Sequence, residues 1–380
     1  MKKIFISAGE TSGDLHAARL VEELKMRQTI EFFGLGGKNL ESAGVKLLFN
    51  ITDLSVVGFL EVLRNLSKFK RIFNSALKEI KNIKPDCCIL VDYPGFNLRL
   101  AREIKKLNIP VVYYISPQVW AWGKGRIKAI KRDVDKMIVL FDFEKELYKS
   151  FGVDAESVGH PLLDLVDIDM GPDFYLRKLQ VDKSKKIIAL LPGSRKKEVS
   201  ILLPIMLDAA RIINKKSKQI NQFIFIQADN IANDAAVDCL LKSYKDLEIT
   251  TVKEAERYNA LFASDFAIVA SGTATLETML LSTPMVIIYK LNLLSWLLAR
   301  LFIRIPYIGL VNVVAGEKIV PELIQFNATA GRIAKASLDI ILNKEKYKDT
   351  VLKLDAVKKK LGEPGASARA AEIISRLIKI

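Results

Sequence analysis

The segment DCCILVDYPGFN, residues 86–97, is a short apolar run that ends in an acid and a Pro-Gly turn. An uninterrupted apolar run of this length, bounded by prolines on both sides, is typical of a strand that is buried on both faces of a sheet. Helix-like segments such as His16–Lys25 separate it from other runs of the same kind. These runs are Ile4–Ala8, Glu31–Leu35, Pro110–Ile115 and Lys136–Phe141. The alternation predicts a parallel sheet covered by helices.

The same alternation restarts after a stretch near residues 165–182 that has no strong period and is predicted to be a linker. The strands predicted beyond it are Lys186–Leu191, Phe223–Gln227, Ile249–Val252, Phe266–Ala270 and Met285–Tyr289. We therefore expect an α/β protein with two doubly wound Rossmann-like domains, residues 1–166 and 167–345. The last segment, 346–380, is expected to form helices that pack back on the first domain. In such sheets ligands bind beyond the carboxyl ends of the strands.

Length and composition exclude several classes of protein. The 380 residues are 50% hydrophobic and 27% charged, which excludes a disordered chain, a disulfide miniprotein and a polytopic membrane protein. A net charge of +15 predicts an anionic partner: nucleic acid, a membrane surface or phosphorylated substrates. The mean hydropathy of +0.18 favours a membrane surface over DNA. Nucleic acid is the weakest option, since the sequence has no RRM, KH or helix-turn-helix signature.

Cysteine and histidine content argue against a metal site. The three cysteines make no CxxC pair, and there are only two histidines, so a structural zinc site is not expected. The N-terminal apolar run breaks at Gly9-Glu10 and is too short for a signal peptide. We therefore expect a cytoplasmic protein.

The turn after the first predicted strand, SAGETSGDLH at residues 7–16, combines two glycines with small polar residues at a helix start. Free N–H groups and the helix dipole favour anions there, which makes Ser12, Gly13, Asp14 and His16 candidate anion-binding residues. The alternative is a capped turn with Ser12 or Asp14 as the N-cap. The turn lacks both the GxGxxG and the GK[ST] pattern, which argues against a dehydrogenase and a P-loop ATPase.

Two further strand ends in the first domain carry candidate residues. Asp92 is a candidate general base for a sugar hydroxyl, or else a turn carboxylate, and Asn97 follows it in the same turn. Gln118 and Trp120 lie in SPQVWAW, whose two tryptophans form either a wall of the cleft or plain packing. His160, held extended before a proline, either donates to a phosphate, stabilises the hinge or is structural.

Two strand-end turns in the second predicted domain suit a nucleotide diphosphate. Gly193, Ser194 and Arg195 form one turn, in which the guanidinium can bond two phosphate oxygens and neutralise the leaving diphosphate. The other turn begins at residue 271 and offers hydroxyls, free N–H groups and a carboxylate for a ribose diol. Its candidate residues are Ser271, Gly272, Thr273, Thr275 and Glu277.

Two apolar stretches carry interspersed basic residues, Val56–Phe73 and Leu291–Leu310. Neither has the ~20 uninterrupted apolar residues that a membrane span needs. Each is interpreted as a helix lying in the membrane interface, or alternatively as a core helix with basic side chains that reach solvent.

The motifs as a set resemble the lipid-A-disaccharide synthase family, glycosyltransferase family 19 with the GT-B fold. The matching segments are AGETSGDLHAARL (8–20), GLGG (34–37), VDYPGFNLRLA (91–101), ISPQVWAW (115–122), VGHPLLD (158–164), LLPGSR (190–195), ASGTATLE (270–277) and VPELIQ (320–325). The resemblance implies two domains facing across a cleft and an inverting transfer from UDP-2,3-diacylglucosamine to 2,3-diacylglucosamine 1-phosphate (lipid X). The products would be the β-1,6 lipid A disaccharide 1-phosphate and UDP.

The resemblance also implies that no metal and no cofactor take part. It further implies attachment to the cytoplasmic face of the inner membrane of a Gram-negative cell, and it allows a homodimer. Asn312, Glu322 and Gln325 would line the nucleotide site by similarity. Many relatives have Asp where this chain has Gly95, so that Asp92 or Glu10 would have to be the base here. The alternatives are another UDP-sugar enzyme of this fold, an epimerase or a peptidoglycan-type transferase, and a non-catalytic nucleotide-binding protein at the membrane surface.

Overall fold

The computed structural model describes residues 1–52, 66–120, 125–182, 184–217, 220–292, 296 and 306–379. The chain divides into two compact units, each built on one parallel sheet. Within the described ranges, the first unit comprises Met1–Asp164 and Leu361–Ile380, and the second comprises the residues between them.

The first unit contains a seven-stranded sheet in the order β3-β2-β1-β4-β5-β6-β7. Its strands are β1 (Lys2–Ala8), β2 (Ile30–Gly36), β3 (Lys46–Asn50), β4 (Cys87–Val91), β5 (Val111–Tyr114), β6 (Lys136–Val139) and β7 (Ala155–Ser157). Its helices are α1 (Thr11–Arg27), α2 (Lys38–Ser42), α3 (Leu66–Ile83), α4 (Pro94–Lys105), α5 (Arg126–Asp133) and α6 (Asp142–Ser150). The strand order reverses between β1 and β4, which is the point where doubly wound sheets bind ligands.

The second unit contains a six-stranded sheet in the order β10-β9-β8-β11-β12-β13. Its strands are β8 (Lys186–Leu191), β9 (Ile220–Gln227), β10 (Glu248–Lys253), β11 (Phe266–Ala270), β12 (Met285–Tyr289) and β13 (Glu322–Ile324). Its helices are α7 (Pro172–Lys178), α8 (Lys196–Lys216), α9 (Ala235–Lys242), α10 (Arg257–Phe262), α11 (Thr273–Leu280), α12 (Leu310–Ala315), α13 (Ala330–Ile341) and α14 (Lys344–Lys358). The corresponding reversal lies between β8 and β11.

Each sheet is buried because its central strands are apolar on both faces. All residues of β4 and of β11 are buried, so both faces of each sheet are covered at its centre. A buried Leu, Ile or Phe side chain contributes about 1.5–3 kcal/mol relative to an exposed one. The adjacent thiols of Cys87 and Cys88 are part of this packing, and burial raises the pKa of both well above the usual thiol range. The prediction of an α/β protein with two parallel-sheet domains is confirmed.

The sequence pattern located the central strands and the edge strand β10, and it missed the three other edge strands. Lys186–Leu191, Phe266–Ala270 and Met285–Tyr289 have the predicted bounds. The three strands that were not predicted, β3, β7 and β13, all lie at a sheet edge and have three to five residues each. An edge strand packs on fewer neighbours, so its residues are less uniformly apolar than those of a central strand.

The predicted linker contains a helix. α7 lies within residues 165–182, and its Tyr175 and Leu176 are buried in the second unit. Its few apolar residues are enough to hold the helix in place because α7 packs on α10. In addition, Lys178 forms an ion pair with Glu256, the residue just before α10. The sequence shows no strong helical periodicity here because the helix has only seven residues, about two turns.

The segment 346–380 divides between the two units. α14 packs against α11, α12 and α13 of the second unit, which differs from the expected return of the whole segment to the first domain. The last helix, α15 (Ala366–Ile378), packs on α1 of the first unit. Arg369 anchors it by donating from Nε to the Val158 carbonyl at 2.9 Å, and Asp164 accepts from the Gly365 N–H at 2.5 Å.

No helix within the described ranges is long and apolar enough to cross a membrane. Of the first apolar stretch, residues 56–65 lie outside the described residues. In the described part, Phe69 and Phe73 pack on the core of the first unit, whereas Lys68, Lys70 and Arg71 are exposed. This part of α3 is therefore a core-packed helix with a basic outer face. Most of the second stretch, 293–295 and 297–305, also lies outside the described residues.

Candidate active site

The reversal in the first sheet brings two candidate acids together. Ala8 pairs with Val91 in the register of β1 and β4, so that the turns carrying Glu10 and Asp92 leave the sheet side by side. The Tyr93 ring packs directly on Gly9, where an added Cβ would lie 2.2 Å from Cδ1 of the ring. Only glycine allows this close approach of the two turns.

Asp92 occupies a strained backbone position and has a perturbed carboxyl group. Asp92 and Tyr93 have φ angles of 45° and 50°, two consecutive left-handed residues that are not glycine. Such positions cost about 1–3 kcal/mol each and cluster at functional sites. Burial, and then the nearby Glu10 carboxylate, raise the pKa of Asp92 to about 7. A carboxyl group that titrates near neutral pH is suited to take a proton from a hydroxyl.

Asn97 holds the two strand ends together. Its Oδ1 accepts from Ser7 Oγ at 2.8 Å, and its Nδ2 donates to the carbonyls of Asp92 at 2.8 Å and Val91 at 3.1 Å. The side chain is fully buried. These bonds occupy both ends of the amide, so in this structure Asn97 positions Asp92.

Asp14 is used inside the fold. Its carboxylate accepts from the N–H groups of Gly37 at 2.6 Å and Asn39 at 2.9 Å, at the start of α2. A Cβ on Gly37 would lie 2.9 Å from Oδ2 of Asp14, which explains why glycine stands at this position of the GLGG motif, residues 34–37. Among the other residues of the first turn, Ser12 is exposed and Gly13 is buried.

The two histidines are buried and neutral. Burial lowers the pKa of His16 to about 4, and burial together with the His16 charge lowers the pKa of His160 to about 3. His160 Nδ1 accepts from the Leu162 N–H at 3.2 Å, while His16 Nδ1 has no hydrogen-bond partner in the described part of the chain. At neutral pH neither ring brings a positive charge to an anion.

Sequence reasoning missed Glu144, which lies in the first turn of α6. Its Oε1 accepts from Ser116 Oγ at 2.8 Å and from Trp120 Nε1 at 3.2 Å, and its Oε2 accepts from two backbone N–H groups. Burial raises the pKa of Glu144 to about 7. The pattern of a Glu in a first helical turn indicates only a cap, and its partners lie 24 and 28 residues earlier.

The turn after β5 carries Trp120, one of the two tryptophans for which either a cleft wall or plain packing was predicted. Ile115 has a φ of 63°, an outlier for a β-branched residue, and Gln118 beyond it is exposed. The Trp120 ring meets Phe143 edge to face at 5.8 Å between centroids. Trp122 lies outside the described residues.

The second unit places the predicted diphosphate turn at the end of β8. Gly193 has a φ of 104°, and a Cβ there would lie 2.8 Å from Oε2 of Glu198. Ser194 and Arg195 are exposed, and Arg195 is the residue immediately before α8. The Arg195 guanidinium lies 3.1 Å from Oε1 of Glu198. This local pair holds the guanidinium near the helix start.

The second predicted turn lies at the end of β11, next to the end of β8. Gly272 and Thr273 are exposed at the start of α11, and Ser271 is half-buried. Thr275 Oγ1 donates to the Gly272 carbonyl at 2.8 Å, so that its hydroxyl is engaged within the turn. Both turns leave backbone N–H groups at a helix N-terminus, where anions are favoured.

Glu277 lies one turn into α11 and is buried. Its Oε1 pairs with Arg257 Nη2 at 3.0 Å and accepts from the Tyr258 hydroxyl at 3.2 Å. Burial raises the pKa of Glu277, and the Arg257 charge opposes that shift. Arg257 also pairs with Glu254 at 2.9 Å, which fixes the guanidinium between two carboxylates.

The three residues proposed by similarity form internal hydrogen bonds. Asn312 Oδ1 accepts from the N–H groups of residues 319 and 320, and its Nδ2 donates to Glu322 at 2.8 Å. Glu322 also accepts from the Ile308 and Gly309 N–H groups at 2.9 and 3.0 Å. Gln325 exchanges two hydrogen bonds with the backbone of Leu291. Gln325 and Glu322 therefore fix the backbone at residue 291 and at residues 308–309, and Asn312 fixes it at residues 319–320.

No group of three or more His, Cys, Asp or Glu side chains that could hold a metal ion occurs in the described ranges. What the first unit offers is a cluster of carboxyl groups at strand ends. The second unit offers the Arg195 guanidinium, the N-termini of α8 and α11, and the buried carboxylate of Glu277. The first set can move a proton, and the second can bind a diphosphate and a diol.

Comparison with known proteins gives one consistent result. A family model described as lipid-A-disaccharide synthetase matches residues 4–376. The chain is 45% identical over 379 residues to the lipid-A-disaccharide synthase of Syntrophus aciditrophicus (strain SB), covering 100% of this chain and 98% of that protein. It is 42% identical to that of Geobacter sulfurreducens (strain ATCC 51573 / DSM 12127 / PCA), covering 99% and 97%.

Solved structures show the fold. An S. aureus MnaA–UDP co-structure has a TM-score of 0.67 at 13% identity, covering 100% of this chain and 97% of that chain. MurG of Acinetobacter baumannii has a TM-score of 0.59 at 14% identity, covering 99% and 100%. The fold class is therefore that of GT-B glycosyltransferases and epimerases, as predicted.

Proposed function

Because the chain belongs to the lipid-A-disaccharide synthetase family, and is thus a glycosyltransferase of lipid A disaccharide synthesis, we propose the substrates and residue roles that follow. The donor is UDP-2,3-diacylglucosamine, and the acceptor is 2,3-diacylglucosamine 1-phosphate. The products are the β-1,6 disaccharide 1-phosphate and UDP. Family membership argues against the alternative readings as an epimerase, a peptidoglycan-type transferase or a non-catalytic protein.

The reaction is a single in-line displacement. Asp92 takes the proton of the acceptor 6-hydroxyl, whose oxygen attacks C1 of the donor sugar while the bond from C1 to the diphosphate breaks. The electron pair of that bond leaves with UDP, and the configuration at C1 inverts. The observation that carries this proposal is the buried, strained Asp92, whose pKa burial and Glu10 raise to about 7. Glu10 acts mainly by keeping that pKa high, and it is the second candidate for the base.

The leaving diphosphate is stabilised by the second unit. Arg195 supplies the positive charge, and the N-termini of α8 and α11 supply backbone N–H groups. Glu277 accepts from the ribose diol with its second oxygen, since the contacts with Arg257 and Tyr258 both use Oε1. The nucleotide site comprises Gly193, Ser194, Arg195, Ser271, Gly272, Thr273, Thr275 and Glu277, with Asn312, Glu322 and Gln325 as its support. The reaction as proposed uses no metal and no cofactor.

The acceptor is bound by the first unit. Gln118 and Trp120 contact the sugar, and the start of α1, where Ser12 is exposed and Gly13 is buried behind it, binds the 1-phosphate. Asn97, Asp14 and His16 support these surfaces from inside the fold, since their polar atoms are bonded internally or buried. That the two domains face across a cleft stays a prediction.

The membrane surface is the proposed partner outside the substrates. The exposed Lys68, Lys70 and Arg71 on α3 and the net charge of +15 support attachment to an anionic bilayer, which we place at the cytoplasmic face of the inner membrane. A homodimer is a further prediction from family resemblance.

One assay tests the proposal as a whole. The purified chain, supplied with both lipid substrates in detergent, should release UDP and form the disaccharide 1-phosphate. Release of UDP only when both lipids are present supports the transfer. Binding of UDP without turnover would overturn it, and formation of an epimerised nucleotide sugar would favour the epimerase reading.

A further inference from the structure

Glu144 is a buried carboxylate that receives four hydrogen bonds and has no role in the reaction as proposed above. Ser116 Oγ and Trp120 Nε1 donate to Oε1 at 2.8 and 3.2 Å. The N–H groups of Leu140 and Phe141 both donate to Oε2 at 3.3 Å. Only 3% of the residue surface is exposed, so solvent cannot replace these donors.

The turn that Glu144 holds begins next to the candidate base. Asp92 N–H donates to the Tyr114 carbonyl at 3.0 Å, and the chain then passes through the strained Ile115 into residues 116–120. β4 and β5 are neighbours in the sheet, with Val91 opposite Tyr114. The negative charge of Glu144 is also one of the causes that raise the pKa of Asp92.

We propose that Glu144 is a positioning residue, whose ionised carboxylate holds the turn of residues 116–120, with Trp120, in place beside Asp92. The effect on catalysis rests on the proposed function. The hydrogen bond between Glu144 and Trp120 does not depend on the proposed function, and it can be measured without substrates.

The donor count explains why the charged form is needed. An ionised carboxylate offers about four acceptor sites and matches four donors. A protonated carboxyl group, or the amide of a glutamine, replaces acceptor sites with a donor. The Ser116 hydroxyl can rotate to accept from that donor, but the Trp120 N–H cannot. Loss of the charge therefore releases Trp120 first.

Three titratable groups other than Glu144 belong to this part of the unit. Asp92 at the end of β4 has a pKa raised by burial to about 7, and burial raises the pKa of Tyr148 on α6 above its usual range. His160, whose ring lies 5.4 Å from Phe141, has a pKa lowered by burial to about 3 and stays neutral above pH 5. Of these three groups, Asp92 titrates in the same range as Glu144, and Glu10 acts on it from the turn after β1. The experiment must therefore separate Asp92 from Glu144.

The test follows the fluorescence of Trp120 against pH. In a full-length protein with Trp122→Phe and Trp296→Phe, Trp120 is the remaining tryptophan. Its emission should change between pH 5 and 9 with a midpoint near 7, the value to which burial raises the pKa of Glu144. The change should persist after Asp92→Asn and vanish after Glu144→Gln. A change that survives Glu144→Gln, or a parent emission that does not respond to pH, overturns the proposal.

Two further variants guard against misfolding and nonspecific effects. Ser116→Ala removes one donor from the charged form and should move the midpoint upward by about 0.5 to 1 pH unit. Glu146→Gln makes the same chemical change on the same helix at a side chain that is 72% exposed. It should leave the titration unchanged. An unshifted midpoint in Ser116→Ala overturns the proposal even if Glu144→Gln fails to fold.

Enzyme kinetics test whether the contacts of Glu144 with residues 116–120 matter for glycosyl transfer. Glu144→Gln should lower kcat about 10-fold and move the acid limb of the rate profile to lower pH, since a negative charge beside Asp92 is lost. A lower rate with an unmoved acid limb would overturn the link to Asp92. If the parent protein makes no disaccharide, the proposed function fails, and the fluorescence result still decides whether Glu144 holds Trp120.

Discussion

Ser7 Oγ donates a hydrogen bond to Oδ1 of Asn97 at 2.8 Å, and this bond ties the end of β1 to the start of α4. The other end of the same amide binds the Asp92 carbonyl. One buried side chain thus fixes the distance between the two turns that carry Glu10 and Asp92.

Replacement of Asn97 should cost stability as well as activity. Asn97→Ala leaves the Val91 and Asp92 carbonyls short of a buried donor, which should lower the free energy of unfolding by about 2–3 kcal/mol. Chemical denaturation measures it. Asn74→Ala, at an exposed position of α3, is the control and should change stability by less than about 0.5 kcal/mol. Equal effects of the two substitutions would contradict this role of Asn97.

Replacement of Asp92 should remove the acid limb of the rate profile. Because burial and Glu10 raise the pKa of Asp92 to about 7, the base form is present above pH 7 and the wild-type rate should fall as the pH drops below it. Asp92→Asn should lower kcat at least about 100-fold. Glu10→Gln should keep most activity and shift the acid limb of the rate profile to lower pH, because the Glu10 charge that raises the pKa of Asp92 is lost. The opposite ranking would make Glu10 the base.

The same raised pKa has a consequence for stability. The folded state keeps the proton of Asp92 up to about pH 7, while an unfolded Asp loses it near pH 4, so this group makes folding less favourable as the pH rises from about 4 to 7. Asp92→Asn should therefore be more stable than wild type at pH 8 by about 1–3 kcal/mol, with the difference shrinking toward pH 4. Parallel thermal or urea unfolding at the two pH values measures this. A difference that does not depend on pH would speak against a raised pKa.

Removal of the Arg195 guanidinium should slow the chemical step. Arg195→Ala should lower kcat at least about 100-fold, the scale of losing one donor that stabilises transition-state charge. Arg211→Ala is the matched control, since Arg211 lies in α8, the helix that Arg195 precedes, and pairs with Asp246 on the surface. Near-normal turnover of Arg195→Ala would exclude Arg195 from the diphosphate site.

Glu277 should determine nucleotide affinity. Glu277→Gln keeps the size of the side chain but loses the charge that binds a diol, and should weaken UDP binding about 10-fold. Isothermal titration with UDP measures it without the lipid substrates. Glu248→Gln, at an exposed position of β10, should bind UDP as wild type does. An unchanged affinity of Glu277→Gln would show that the ribose is bound elsewhere.

Membrane attachment should depend on the basic face of α3. Replacing Lys68, Lys70 and Arg71 with Gln should weaken binding to anionic liposomes by up to about 100-fold, since each basic residue near the surface contributes about 1 kcal/mol. Binding of the wild type should fall with added salt. The control replaces Lys344, Lys348 and Lys359, which removes equal charge from the second unit. Equal losses in both triple variants would mean that net charge alone drives binding.

Much of the fold was predictable because central parallel strands are apolar on both faces and stand out as uninterrupted runs. β8, β11 and β12 were placed correctly from this signal alone. The short edge strands β3, β7 and β13 gave no such signal because they are less uniformly apolar, and α7 gave none because it has only seven residues. The polar residues after each strand were recognised as candidates because parallel strands bring their carboxyl ends to one edge.

The roles within the candidate site were less accessible to sequence reasoning. Asp14, Asn97 and Asn312 were selected as ligand-binding residues, and the structure shows that their side chains bond to the backbone of the chain itself. Glu144 was passed over, because the donors that surround it come from a different turn. A hydrogen bond between distant residues leaves no local pattern in a sequence.

By itself, the sequence determined two α/β domains, their central strands, the positive charge and the family motifs, since these depend on residue type and short-range order. Only the tertiary structure decided which polar side chains stay free at the strand ends and which are used to hold the turns. It also decided that Asp92 titrates near neutral pH. That property comes from burial and from the charge of Glu10 in the turn after the neighbouring strand, and such a field exists only once the two strands lie side by side.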